Sequence, residues 1–64
     1  MNQNDEREVF EARDVSNYLH ISIPMVYKLF RRPGFPAIQI TDRRYIVRKV
    51  DLVEWLGRQA NSAV

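Results

Sequence analysis

Sixty-four residues without a cysteine make one small domain at most, with neither a disulfide framework nor a thiolate zinc site. A chain of this length buries only about 60% of the surface it exposes when unfolded, so nearly every large apolar side chain is needed in the core and little remains to wall a deep substrate pocket. The net charge of +2 conceals a segregation: residues 1–14 carry five acids against two arginines, residues 15–49 carry seven bases (Lys28, Arg31, Arg32, Arg43, Arg44, Arg48, Lys49) against Asp42 alone, and residues 50–64 carry Asp51, Glu54 and Arg58.

A basic block between acidic ends is the footprint of a polyanion-binding face; the bland alternative is a solvated surface that happens to be basic. The opening MNQNDEREVF is polar and acidic, unlike a signal peptide. No apolar run approaches the ~20 residues that span a membrane. A small domain without covalent staples fits a reducing, cytoplasmic setting.

The polar stretch 1–8 reads as a disordered tail, and Val9 and Phe10 begin the folded part. Ala12, Val15, Tyr18 and Leu19 then recur at the spacing of one helix face, predicting a helix over 11–19, with Glu11 and Asp14 in the first turn where negative charge suits the dipole. The segment HISIP breaks that pattern. Ser22 is a good N-cap, and Pro24 falls in the first turn of a second helix, where its missing N–H costs nothing. Val26, Leu29 and Phe30 are the expected buried stripe; Pro33 and Gly34 end the helix. Only about three residues separate the two helices, the spacing of a helix-turn-helix.

Ile38 and Ile40, then Tyr45 and Val47, alternate with other residues over PAIQITDRRYIVRKV and predict two strands joined by a turn at 41–44, with Asp42 at its tip. Val50 to Leu56 predicts a short closing helix anchored in the core by Trp55, with Gly57 as its stop and 58–64 as a polar tail. The architecture expected is α+β: a winged helix-turn-helix over 9–57, with a two-stranded wing and a C-terminal helix.

Two segments of this arrangement carry cations. With Val26, Leu29 and Phe30 inward, the opposite side of the second helix presents Ile23 or Pro24, Tyr27 or Lys28, and Arg31. A helix entering a major groove of about 12 Å N-terminus first brings Lys28 and Arg31 to guanine edges or phosphates, and the Tyr27 hydroxyl to a phosphate. Each residue has a plainer reading: solvated charge for Lys28 and Arg31, partial burial for Tyr27. Arg32, next to Pro33, serves the helix C-terminus as readily as DNA. Arg43 and Arg44 on the turn suit a phosphate backbone or a minor groove, since arginine offers a planar fork of donors and is weakly hydrated. They serve equally as charges that keep a hairpin edge from pairing with other molecules. Ile46, facing out if Tyr45 and Val47 face in, reads as a lone exposed apolar residue or as a contact to a neighbouring molecule.

Enzymatic chemistry is thin. His20 has no partner at metal-ligand spacing and reads as a turn residue. Asp51 and Glu54 read as surface acids of a helix, and Ser16 and Ser22 lack a base nearby in sequence. No catalytic residue, metal ligand or cofactor is expected.

Residues 9–57 resemble the small winged-helix proteins called excisionases, relatives of the MerR-type DNA-binding domain. The likeness rests on Ser22, Val26-Tyr27-Lys28-Leu29, Phe35-Pro36-Ala37-Ile38, Arg43-Arg44-Tyr45, Val47, Asp51-Leu52 and Trp55-Leu56. It implies a DNA-reading second helix with Tyr27, Lys28 and Arg31 on the contact and a wing with Arg43 and Arg44 on the adjacent backbone or minor groove; Ser22, Ile23, Pro24 and Arg32 on the helix and Thr41 on the wing complete the candidate DNA-binding residues. It further implies a bacterial, nucleoid-associated protein that binds and bends mobile-element ends and directs a tyrosine recombinase towards excision. Close relatives of that kind act as phage transcription regulators instead; a basic-faced adaptor for an acidic protein is an alternative of another class. The family often has Gly where His20 stands and a polar or basic residue where Ile23 stands, so base preference does not carry over. Gly is also usual near Thr41, and Ser or Thr near Val50. About seven residues follow Gly57, so no MerR-like coiled-coil dimer is expected, and self-association would be side by side on DNA.

Overall fold

The computed structural model describes residues 8–62, so the expected tail lies outside the described residues apart from Glu8. In chain order the elements are β1 (Val9–Phe10), α1 (Ala12–Leu19), α2 (Ile23–Phe30), β2 (Ile38–Thr41), β3 (Arg44–Arg48) and α3 (Lys49–Ser62). The three strands form one antiparallel sheet in the order β1-β3-β2.

Three residues, His20 to Ser22, join α1 to α2, and each has a local reason for its place. His20 caps α1 in the left-handed region (φ 60, ψ 44), which turns the chain sharply. Ser16 Oγ donates to the Ile21 carbonyl, and Ile21 N–H donates back to the Ser16 carbonyl at 3.1 Å, closing the turn on itself. Ser22 then caps α2: its Oγ accepts from Met25 N–H at 3.4 Å and its carbonyl from Val26 N–H at 3.1 Å, while Pro24 occupies the first turn. Gly34 takes φ 87 in the turn that leaves α2.

The core consists of Phe10, Val15, Val26, Phe30, Phe35, Val47, Leu52 and Trp55, at least one from every element except β2. Phe35 meets Trp55 edge-on at 4.8 Å and Phe30 at 6.0 Å, so the loop after α2 is itself anchored in the core. Tyr18, expected inward, stays largely exposed and lays its ring edge-on to Phe10 at 5.4 Å. Leu29 is half-buried.

Three expectations need correction. The expected two-stranded wing, β2 and β3, gains a third strand: Val9 and Phe10 pair with Arg48 and Val47, making β3 the central strand. Two residues are too few for alternation to declare a strand, so pairing alone reveals it. Gly57 does not stop the last helix, which runs on to Ser62. A helix tolerates one Gly at a cost of about 1 kcal/mol against Ala when packing elsewhere holds it, and Leu52 and Trp55 supply that packing. Finally, Ile46 is neither lone nor fully exposed: it is half-buried and stands across from Ile38, which is 47% exposed. All of β2 is exposed, and a bulge between Gln39 and Thr41 breaks its register, as suits an edge strand.

Candidate nucleic-acid interface

The bases of the central block divide by their neighbours. Arg48 is held by Asp51 through two hydrogen bonds, Nε to Oδ2 at 2.7 Å and Nη2 to Oδ1 at 3.0 Å, and that bond and charge raise its pKa above the ordinary guanidinium value. Lys49 lies 3.9 Å from Glu8, and Arg44 pairs with Glu11 at 2.7 Å. Lys28, Arg31, Arg32 and Arg43 have no carboxylate partner among the described residues. Three of the seven charges are thus locally compensated. The other four come from α2, its C-terminal continuation and the wing tip.

Helix α2 and its C-cap display Lys28 and Arg31 because Val26 and Phe30 turn the other side to the core. Val26 and Phe30 are buried, leaving Ile23, Pro24, Lys28 and Arg31 exposed and Tyr27 half-buried at the boundary. Arg31 is the C-cap; its N–H donates to the Tyr27 carbonyl at 3.3 Å, and Arg32 N–H donates to the Leu29 carbonyl at 2.9 Å, so carbonyls of the last turn are satisfied. Arg32 sets its guanidinium 5.8 Å from the centre of the Trp55 ring, a cation–π contact that fixes its stem against the core.

The wing meets α2 through aromatic rings. Tyr45 of β3 stacks on Phe30 with centroids 5.4 Å apart and planes at 27°, and meets the Tyr27 ring at 6.4 Å, nearly perpendicular. Beyond the rings lies an open cleft of about 270 Å³ lined by Tyr27, Arg31, Asp42, Arg43 and Tyr45. Lys28 lines a separate depression of about 290 Å³ with Met25, Leu29 and Arg32. The cation of α2 that faces the wing is therefore Arg31, with Lys28 on the next strip of the helix.

At the turn, Arg43 N–H donates to Thr41 Oγ1 at 3.3 Å, so the Thr41 hydroxyl shapes the hairpin tip. Asp42 and Arg43 form that tip, and Arg44 is already the first residue of β3. The two adjacent arginines consequently part company, Arg43 to the cleft and Arg44 to Glu11. Tyr45, predicted by its alternation as an inward strand residue, lines the cleft as well. Its alternation with Val47 pointed inward, and nothing in the sequence revealed that its inner side ends at a cleft mouth.

Residues 9–60 match the family model described as a helix-turn-helix domain. The chain belongs to the helix-turn-helix domain family. No curated protein and no solved structure matches it. In a helix-turn-helix domain the second helix enters the DNA major groove with its N-terminal residues towards the base edges, and in this one that helix is α2. The sheet appended to the helix-turn-helix domain makes it winged and α+β. No helix among its described residues is long and apolar enough to cross a membrane.

Proposed function

We propose that this helix-turn-helix domain binds specific sites in duplex DNA, reading bases with α2 and gripping the adjacent backbone with the wing. Its biological task on this reading is that of an excisionase: binding and bending the end DNA of a mobile element at the bacterial nucleoid, so that a tyrosine recombinase excises it. The observation that carries the reading is the sorting of charge. The bases of α2 and the wing tip lack carboxylate partners among the described residues, whereas Arg44, Arg48 and Lys49 each have one. An unpaired cation can release a counterion from a phosphate, which is the main source of affinity for DNA. Ser22, Ile23 and Pro24, at the exposed start of α2, are proposed to meet the groove first, followed by Tyr27, Lys28 and Arg31; Arg32 and Thr41 sit at the margins of the contact. The excision role is supported by the resemblance of residues 9–57 to excisionases.

The test has two stages. Fluorescence anisotropy with element-end duplex and with random duplex, across a salt series, should give tighter binding to the former. The logarithm of affinity should fall with log salt by about 0.9 per phosphate contact. Addition of the protein to a purified tyrosine recombinase and its integrated element should then raise excision. Tight, site-selective binding that leaves excision unchanged would assign the protein to transcription control instead. Failure to bind either duplex would remove DNA as the partner and favour an adaptor.

A further inference from the structure

We infer that Tyr27, Arg31, Arg43 and Tyr45 form a clamp for one DNA phosphate at the junction of α2 and the wing. This rests on the DNA-binding reading and deepens it, because it assigns the wing tip to the backbone and gives Tyr45 a role in binding.

The cleft between α2 and the wing is rich in donors. Its side chains bring two guanidiniums and two phenolic hydroxyls. Neither guanidinium has a carboxylate partner, and neither hydroxyl makes a hydrogen bond, among the described residues. Arginine can only donate, and a tyrosine hydroxyl donates readily to an anion. A set weighted so heavily towards donors suits a ligand that only accepts. A phosphodiester is such a ligand; base edges mix donors with acceptors. The volume of about 270 Å³ is many times the roughly 30 Å³ share of one water in the liquid, so a phosphate enters with the edge of its sugar.

The positions of the donors are set in advance. Tyr45 stacks on buried Phe30, and Tyr27 abuts both rings, so packing fixes both phenols. Arg31 starts from the capped end of α2, and Arg43 from a turn braced by Thr41. Asp42 is the single acid lining the cleft, and it pairs with neither arginine among the described residues. Its carboxylate opposes an anion at the mouth, so entry requires a phosphate already presented by DNA seated on α2. Loose anions lack that second attachment.

Methylphosphonate substitution tests the clamp. The tightest duplex is selected from a random pool, and each backbone phosphate is replaced in turn by an uncharged methylphosphonate. The wild-type protein, Arg43→Ala and Tyr45→Phe are titrated against every duplex. Tyr45→Phe keeps the ring stack and so keeps the fold, which circular dichroism verifies. On unmodified DNA each substitution should weaken binding by about tenfold, the scale of one hydrogen bond to a charged group. At one methylphosphonate position the wild type should lose more than either substitution costs, and each variant should lose measurably less than the wild type, because one of its donors to that phosphate is already gone. Penalties that simply multiply at every position would overturn the clamp while leaving DNA binding intact. Failure to bind any duplex would overturn both readings.

Discussion

Arg44 and Glu11 form an ion pair of 2.7 Å that ties the first residue of β3 to the N-cap of α1, 33 positions earlier in the chain. Both side chains are more than half exposed, so the pair contributes little to stability, within about 1 kcal/mol. Its consequence is for binding. A guanidinium already facing a carboxylate releases few counterions from DNA. Arg43→Ala should lower the salt slope of binding by about one unit, and Arg44→Ala by clearly less. The double substitution should therefore resemble Arg43→Ala alone. Equal effects from the two single changes would show that Glu11 does not hold Arg44 in the complex.

Lys28 stands on the exposed strip of α2, outside the cleft that faces the wing. Lys28→Ala should weaken binding to the preferred site by ~1–3 kcal/mol and reduce discrimination against random duplex. A competition titration between the two duplexes measures both. A loss shared equally by specific and random DNA would assign Lys28 to the backbone.

Asp42→Asn removes the acid from the cleft mouth without altering its size. Two like charges about 6–8 Å apart near a solvated surface interact by roughly 0.5–1 kcal/mol. The substitution should tighten binding to all duplexes by about threefold at low salt, with the gain fading as salt rises. A salt series with random duplex checks this. Weaker binding would show that Asp42 instead orients Arg31 or Arg43.

Three backbone positions should respond to exchange with or of glycine according to their local geometry. His20 holds φ 60, a region strained for a residue with a Cβ, and His20→Gly should stabilise the fold by about 0.5–1 kcal/mol. Gly57 lies within α3 and a Cβ there would touch nothing within 4 Å, so Gly57→Ala should stabilise by a similar amount, about 0.4–1 kcal/mol. Gly34→Ala, at φ 87, should destabilise. Urea unfolding midpoints at constant m-value separate the three.

The bihelical turn was legible because every signal in it is local. Ser22, Pro24 and Gly34 act within a few residues of themselves, and the stripe of Val26, Leu29 and Phe30 needs only helical periodicity. The resemblance to a family with Gly at position 20 also has its reason in the left-handed cap that His20 occupies. What was not legible depends on distant partners. β1 exists because Val47 and Arg48 lie beside it, and α3 passes Gly57 because its core anchors outweigh one glycine. The candidate site shows the same division. Composition indicated the basic block, but which of its charges stay uncompensated is decided by Glu8, Glu11 and Asp51, and only the folded chain brings Glu11 to Arg44.

Because β3 has a neighbour on each side, the wing is braced like a ledge at its base. Val9 and Phe10 clasp it from behind, and Phe30 supports it from beneath through Tyr45. A ledge of that kind forfeits little chain freedom when it docks, so the grip of Arg43 carries over into affinity with small entropic loss. Cutting the chain before residue 11 also takes Phe10 from the core, so it should lower the urea midpoint as well as slacken the hold on DNA.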